Sequence, residues 1–158
     1  MPSNKQISVS LENKPGRLAN VLSALARDKV NLNALTVMAS HETGVLRFIT
    51  DDLGKARTVL KGVGAPFSET DVLQLELRNQ PGAMAHVCET LAGQHINVEY
   101  AYSGPGGRNG KSIGIFKVSN TDKAAKVLAS SPNNLARRRL GRRPIRAMPK
   151  APISNNQR

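Results

Sequence analysis

Apolar and polar residues alternate from Lys5 to Leu11, placing Ile7, Val9 and Leu11 on one face, the period of a half-buried strand. Asn13 to Gly16 breaks the alternation. Leu18, Val21, Leu22 and Leu25 then recur at the three- and four-residue steps of an amphipathic helix. Pro15 suits its first turn, where a missing N–H costs nothing. Strands are expected over Leu32–Ala39 and Val45–Thr50, joined by a hairpin-length loop containing Gly44. Asp51 and Asp52 place acids at the positive end of a second helix, whose stripe is Ala56, Val59, Leu60 and Val63. Gly62, Gly64 and Pro66 stop that helix, and a short strand follows to about Thr70. The order β-α-β-β-α-β predicts a split βαβ, ferredoxin-like unit.

The chain then repeats this pattern. Asn13-Lys14-Pro15-Gly16-Arg17-Leu18-Ala19 returns as Asn79-Gln80-Pro81-Gly82-Ala83-Met84-Ala85, and Ile7, Val9 and Leu11 return as Leu73, Leu75 and Leu77. A period of this length marks a tandem duplication of one small domain. The second copy predicts a strand over Val72–Leu77 and a helix with Met84, Val87, Cys88 and Leu91 on its stripe. Strands Ile96–Tyr102 and Ser112–Ser119 follow, then a helix from Thr121 carrying Ala124, Val127 and Leu128. Nothing after Ser130 resembles a closing strand. The expected organisation is therefore α+β, with two tandem ferredoxin-like units over 1–70 and 71–130. Each has an antiparallel sheet with helices on one face, and a basic tail spans 131–158. Units of about 65 residues bury only about 60% of the surface their unfolded chain exposes and are marginal alone, so a homo-oligomer, most simply a dimer, is expected.

Charge changes the picture less than its total implies. The net charge is +12, which would ordinarily point to nucleic acid or an anionic membrane. Eight of the basic residues lie in 131–158, which has no acid, while the other 130 residues carry fifteen basic and eleven acidic side chains. Nucleic acid is thus expected only through the tail, which reads as disordered because it cannot bury enough to offset the entropy of ordering it. A single cysteine, Cys88, excludes an internal disulfide and a cysteine cluster for metal. No stretch reaches membrane-spanning length and no apolar leader opens the chain. A cytoplasmic location is the expectation.

The repeated bend is the candidate binding chemistry. The amides of Gly16, Arg17 and Leu18 fall in a first helical turn and have no intrahelical acceptor. With the helix dipole they suit a carboxylate. Asn31 or Asn33, opening the next strand, offers an amide oxygen to an ammonium group. A plainer reading stands beside this one, in which Asn13 caps the helix and Asn31 sits in a turn. The second copy keeps the amides of Gly82, Ala83 and Met84, and Asn79 and Asn97 repeat Asn13 and Asn31. Glu99 stands where the first copy has Asn33, and Tyr100 could line the site or pack.

A ferredoxin-like unit opening with a strand and then Asn-x-Pro-Gly-x-Leu-Ala resembles the ACT domain, a small regulatory module that binds amino acids. Asn13, Pro15, Gly16, Leu18, Ala19 and Val30-Asn31-Leu32-Asn33 carry the likeness, as do Asn79, Pro81, Gly82, Met84, Ala85, Ile96 and Asn97. It covers about residues 5–130, and the missing last strand departs from it. The resemblance implies paired domains in a continuous sheet, effectors at interfaces between domains, and no catalytic domain.

Other motifs are weaker. Gly110-Lys111-Ser112 lacks the earlier glycine of a phosphate loop, because Pro105 stands there, and it leads into a strand. His86 and Cys88 point apart on a helix, and Cys88 reads as core. His41 and His95 read as loop and helix-end residues. Val45–Ile49 lacks the aromatic pattern of an RNA-binding sheet. No catalytic set, metal site or cofactor is expected. The leading expectation is a non-catalytic regulator that binds a free amino acid and acts on an enzyme partner. Its rival is a dimerising scaffold whose tail contacts nucleic acid or an acidic partner.

Overall fold

Ile7 and Val9 of β1 (Ser3–Glu12) meet Val21 and Leu25 of α1 (Arg17–Arg27), and the alternation read from the sequence becomes a core. The computed structural model describes residues 3–105 and 110–130. The chain continues through β2 (Leu32–Ser40), β3 (Thr43–Thr50), α2 (Leu53–Gly62) and β4 (Phe67–Arg78). After it come α3 (Ala83–Ala92), β5 (Val98–Gly104), β6 (Lys111–Val118) and α4 (Thr121–Ser130). Leu46 and Phe48 of β3 and Ala56 and Leu60 of α2 complete the first core. A second core joins Leu73, Leu75, Val87, Leu91, Phe116 and Leu128.

Caps follow the local chemistry. The Asp52 side chain accepts from the Lys55 amide at 3.0 Å, a cap of the kind typically contributing ~1 kcal/mol. Asn120 caps α4 in the same way, accepting from the Lys123 amide at 2.9 Å. Arg57 on α2 donates twice to Glu69 on β4, at 2.5 and 2.9 Å, and this bond, chiefly, holds the Glu69 carboxyl below its usual range.

All six strands form one antiparallel sheet in the order β2-β3-β1-β4-β6-β5. The sequence places one strand to about Thr70 and another from Val72; the structure has a single strand there. Its Phe67–Leu73 stretch pairs with β1 and its Leu73–Arg78 stretch with β6. No glycine or proline interrupts Ser68–Asp71, and the odd-numbered positions of β4 keep one face throughout. Phe67 enters the first core and Leu73, Leu75 and Leu77 the second, so the helices of both copies cover one face of the sheet. Beyond Leu73 the edge of β4 facing away from β6 has no strand partner among the described residues. The tail expected to be disordered, 131–158, lies outside them.

The helix-free face is not left to water. The sheet curls until its edge strands meet, so that a Cβ at Gly104 on β5 would stand 2.4 Å from the Asn33 carbonyl oxygen of β2. Ala34, Ile49, Val72, Ile113 and Ile115 form a third core inside the curl, with Tyr102 against it. Cys88 corrects an expectation. It is exposed, because α3 buries Val87 and Leu91, and the neighbouring position is turned about 100° away around the helix. Val63 and Met84, also expected on buried stripes, are 46% and 37% exposed.

Gly104→Ala should destabilise the chain by about 1–3 kcal/mol in denaturant titrations, since backbone blocks the new methyl. Gly114→Ala should also destabilise, since its methyl would meet Leu77 Cδ1 at 2.8 Å and the fully buried Phe116 ring at 2.9 Å.

Candidate functional site

Both Pro-Gly bends adopt the same geometry. Gly16 has φ 88° and ψ −18°, Gly82 has φ 86° and ψ −5°, and each precedes a helix with no side-chain cap. That left-handed conformation strains any residue with a Cβ. Within each bend one expected donor is already engaged. The Arg17 amide donates to the Lys14 carbonyl at 3.3 Å and the Ala83 amide to the Gln80 carbonyl at 3.4 Å. The amides of Gly16, Leu18 and Ala19, and of Gly82, Met84 and Ala85, have no protein acceptor among the described residues.

A cavity lies beside the second bend, whereas the cavity near the first bend is lined by Arg17 but by none of Gly16, Leu18 and Ala19. The one at the second bend has about 370 Å³ and is lined by Leu77, Arg78, Asn79, Gly82, Met84 and Ser103, among others. The one near the first has about 230 Å³ and lies between Arg17 and the end of α2 at Val63–Ala65. Its charge is partly satisfied already. Glu12 bridges Lys14 at 3.2 Å and Arg17 at 3.3 Å, and the Lys14 hydrogen bond leads in holding the Glu12 carboxyl below its usual value.

The asparagines do not gather at the bends of their own copies. The Asn13 side chain donates to the His41 carbonyl at 2.8 Å, so it ties the bend to the β2–β3 hairpin instead of capping α1. Asn31 donates to Asn33 at 3.0 Å and Asn33 to Asp51 at 2.7 Å. This chain lies beyond the other end of α1, whose eleven residues span roughly 16 Å. Asn97 pairs through its backbone with Ser119. The curl instead brings the copies together crosswise: Asn33 abuts Gly104, whose neighbour Ser103 lines the second cavity. Pro15 and Leu18 shape the first bend, Leu18 leaning on the core.

Sequence reasoning missed a third place, inside the curl. Gln6 is fully buried. Its amide donates to the Tyr100 hydroxyl at 2.8 Å and to Ser8 Oγ at 3.1 Å, and its carbonyl accepts from the Tyr102 hydroxyl at 2.9 Å. Burial pushes the Tyr102 phenol well above its usual value of 10.0. Beside this network lies a cleft of about 530 Å³, with Arg47, Glu99, Tyr100 and Lys117 in its lining. The polar face of β1 reads from sequence as solvent-facing; two tyrosines spaced by one residue were the available signal. Among the described residues no group of three His, Cys, Asp or Glu is placed to hold a metal. None of their helices is long and apolar enough to cross a membrane.

Residues 3–137 match the family described as ACT domain pair. No curated protein matches the chain in sequence. A solved protein from Bacteroides thetaiotaomicron is similar at 36% identity and TM-score 0.75, over 82% of this chain and 88% of that one. The ligand-free regulatory subunit of aspartate kinase from Thermus thermophilus is similar at 16% identity and TM-score 0.59, over 82% and 93%. The corresponding subunit from Thermus flavus gives 16% and 0.53, over 82% and 92%. At that identity these two show the shared fold.

The raised Tyr102 phenol has a signed consequence. The folded state holds that proton where the unfolded chain releases it, so its stabilisation is complete below pH 10 and declines as pH rises through the folded value. In a Tyr100→Phe variant, phenolate absorbance should therefore appear late, together with unfolding. Ionisation of Tyr102 near pH 10 while that variant is still folded would contradict the buried network.

Proposed function

This chain belongs to the family of ACT domain pairs, and we propose that it is a non-catalytic regulatory protein that binds a free amino acid. The observation that carries this reading is the cavity of about 370 Å³ lined by Gly82 and Met84, whose amides have no protein acceptor among the described residues. That volume falls in the range of small-molecule sites. The ligand carboxylate docks on the Gly82 and Met84 amides, helped by the α3 dipole and the Arg78 charge. Asn79 and the hydroxyls of Ser103 and Ser112 serve the ammonium group, while Leu77 and Met84 favour an apolar side chain. The first bend, Gly16–Leu18, repeats the same main-chain geometry and is a second seat by that likeness. Asn31, Asn33 and Asn97 reach a ligand only across copies or across a dimer.

Two aspartate kinase regulatory subunits share the fold, which supports an enzyme as the regulated partner of a cytoplasmic sensor. Dimerisation is supported by edge strand β2, which exposes Leu35, Val37 and Met38 at 43%, 41% and 61% with its outer backbone groups unpaired. Ligand binding acts by favouring one domain arrangement over another.

A thermal-shift screen of the twenty amino acids tests this. A true ligand at one hundred times its dissociation constant adds about 2.7 kcal/mol, raising the melting temperature of a chain this size by several degrees. Ser112→Val, which fills the second cavity, should abolish the shift while leaving circular dichroism unchanged. No shift with any amino acid would remove the sensor reading.

A further inference from the structure

The duplication supplies its own comparison for the inside of the curl. Strand registers align Arg47, opposite Ser8 and Thr36, with Ile115, opposite Gln74 and Tyr102. They align Ile49, opposite Ala34, with Lys117, opposite Tyr100. Ile49 and Ile115 are sealed in the apolar third core. Their counterparts, Lys117 and Arg47, line the open cleft of about 530 Å³. The fold therefore has no structural need for charge at these positions, because isoleucine fills the equivalent ones.

Neither cation has a carboxylate partner among the described residues. All eleven Asp and Glu side chains of the chain fall among the described residues, and none lies within ion-pair distance of Arg47 or Lys117. Both cations are half-buried, where an unbalanced charge is costly. The Arg47 guanidinium lies 4.5 Å from the centre of the Tyr100 ring, and Tyr100 stands directly across the sheet from Lys117. One cation thus lies over the ring and the other belongs to its cross-strand neighbour, and buried Gln6 fixes that ring through its hydroxyl. Ser8, Ser10, Ser68 and Thr70 add hydroxyl donors to the lining, and exposed Glu99 is the one acid there, where solvent screens it.

We propose that this cleft binds a phosphate group, as the free ion or as the head of a small phosphate ester. A phosphate monoester carries about 1.5 to 2 negative charges at neutral pH and three acceptor oxygens, and the free dianion is comparable, which balances Arg47 and Lys117 and uses the hydroxyls. Arginine adds its planar donor fork. A monocarboxylate would leave one cation unbalanced. The site lies on the helix-free face and does not depend on the amino-acid reading of the bends.

The molecule contains its own reporter. It has two tyrosines and no tryptophan, and both tyrosines belong to the Gln6 network, so intrinsic fluorescence reads this place alone. The full chain is titrated with inorganic phosphate, with glycerol phosphate and with succinate. Saturable change with phosphate is expected, and tighter binding of the ester would identify it as the ligand. Arg47→Ile and Lys117→Ile, which copy the other half, should each weaken binding by roughly tenfold or more while melting no lower than wild type. Arg47→Lys should restore part of the affinity. No saturable change with either phosphate compound, equal affinity in the isoleucine variants, or a preference for succinate would overturn the proposal.

Discussion

One run of extended backbone, Phe67–Arg78, carries hydrogen bonds for both halves of the molecule. Its first part closes the sheet of the first copy and its last part opens that of the second, with Leu73 in both ladders. Because unpaired buried backbone groups are expensive, that strand fixes the relative register of the copies as firmly as any pair within one copy. The shared helix layer and the inward curl both follow from it.

The curl turns a liability into an interior. A half-exposed antiparallel sheet normally gives one face to water, and the Gln6, Ser8 and Ser10 face of β1 has the composition for it. Here that face meets its counterpart. Its apolar residues collect in the middle, and glycine at 104 permits the edges to touch. The buried polar residue that results, Gln6, is satisfied by two hydroxyls from the other copy. Such a network ties the halves together with direction as well as with area.

Much of this was legible in the residues. The alternation at Ile7–Leu11, the helical stripe at Val21 and Leu25, the acids before Leu53 and the repeated Pro-Gly bends each state a local preference, and the fold obeys them. Of the three spare amides expected at each bend, two have no protein acceptor among the described residues. What could not be read was anything depending on how two copies meet. Continuity through Ser68–Asp71 is a matter of what is missing, a breaker, and period-two patterning does not say which polar face will be covered. For the same reason the asparagines expected beside Gly16 lie a helix length away, and Cys88 sits one step off the buried stripe.

Two copies joined by a spliced beam rather than by a linker cannot be parted cleanly. A fragment ending where the internal repeat restarts, after Thr70, would strip the first half of part of its outermost rung. The second half would keep its ladder with β6 over Leu73–Arg78 but lose the stretch that binds it to β1. The natural unit of inheritance here is the pair, and recombination at the apparent seam would cut through the strand that joins it.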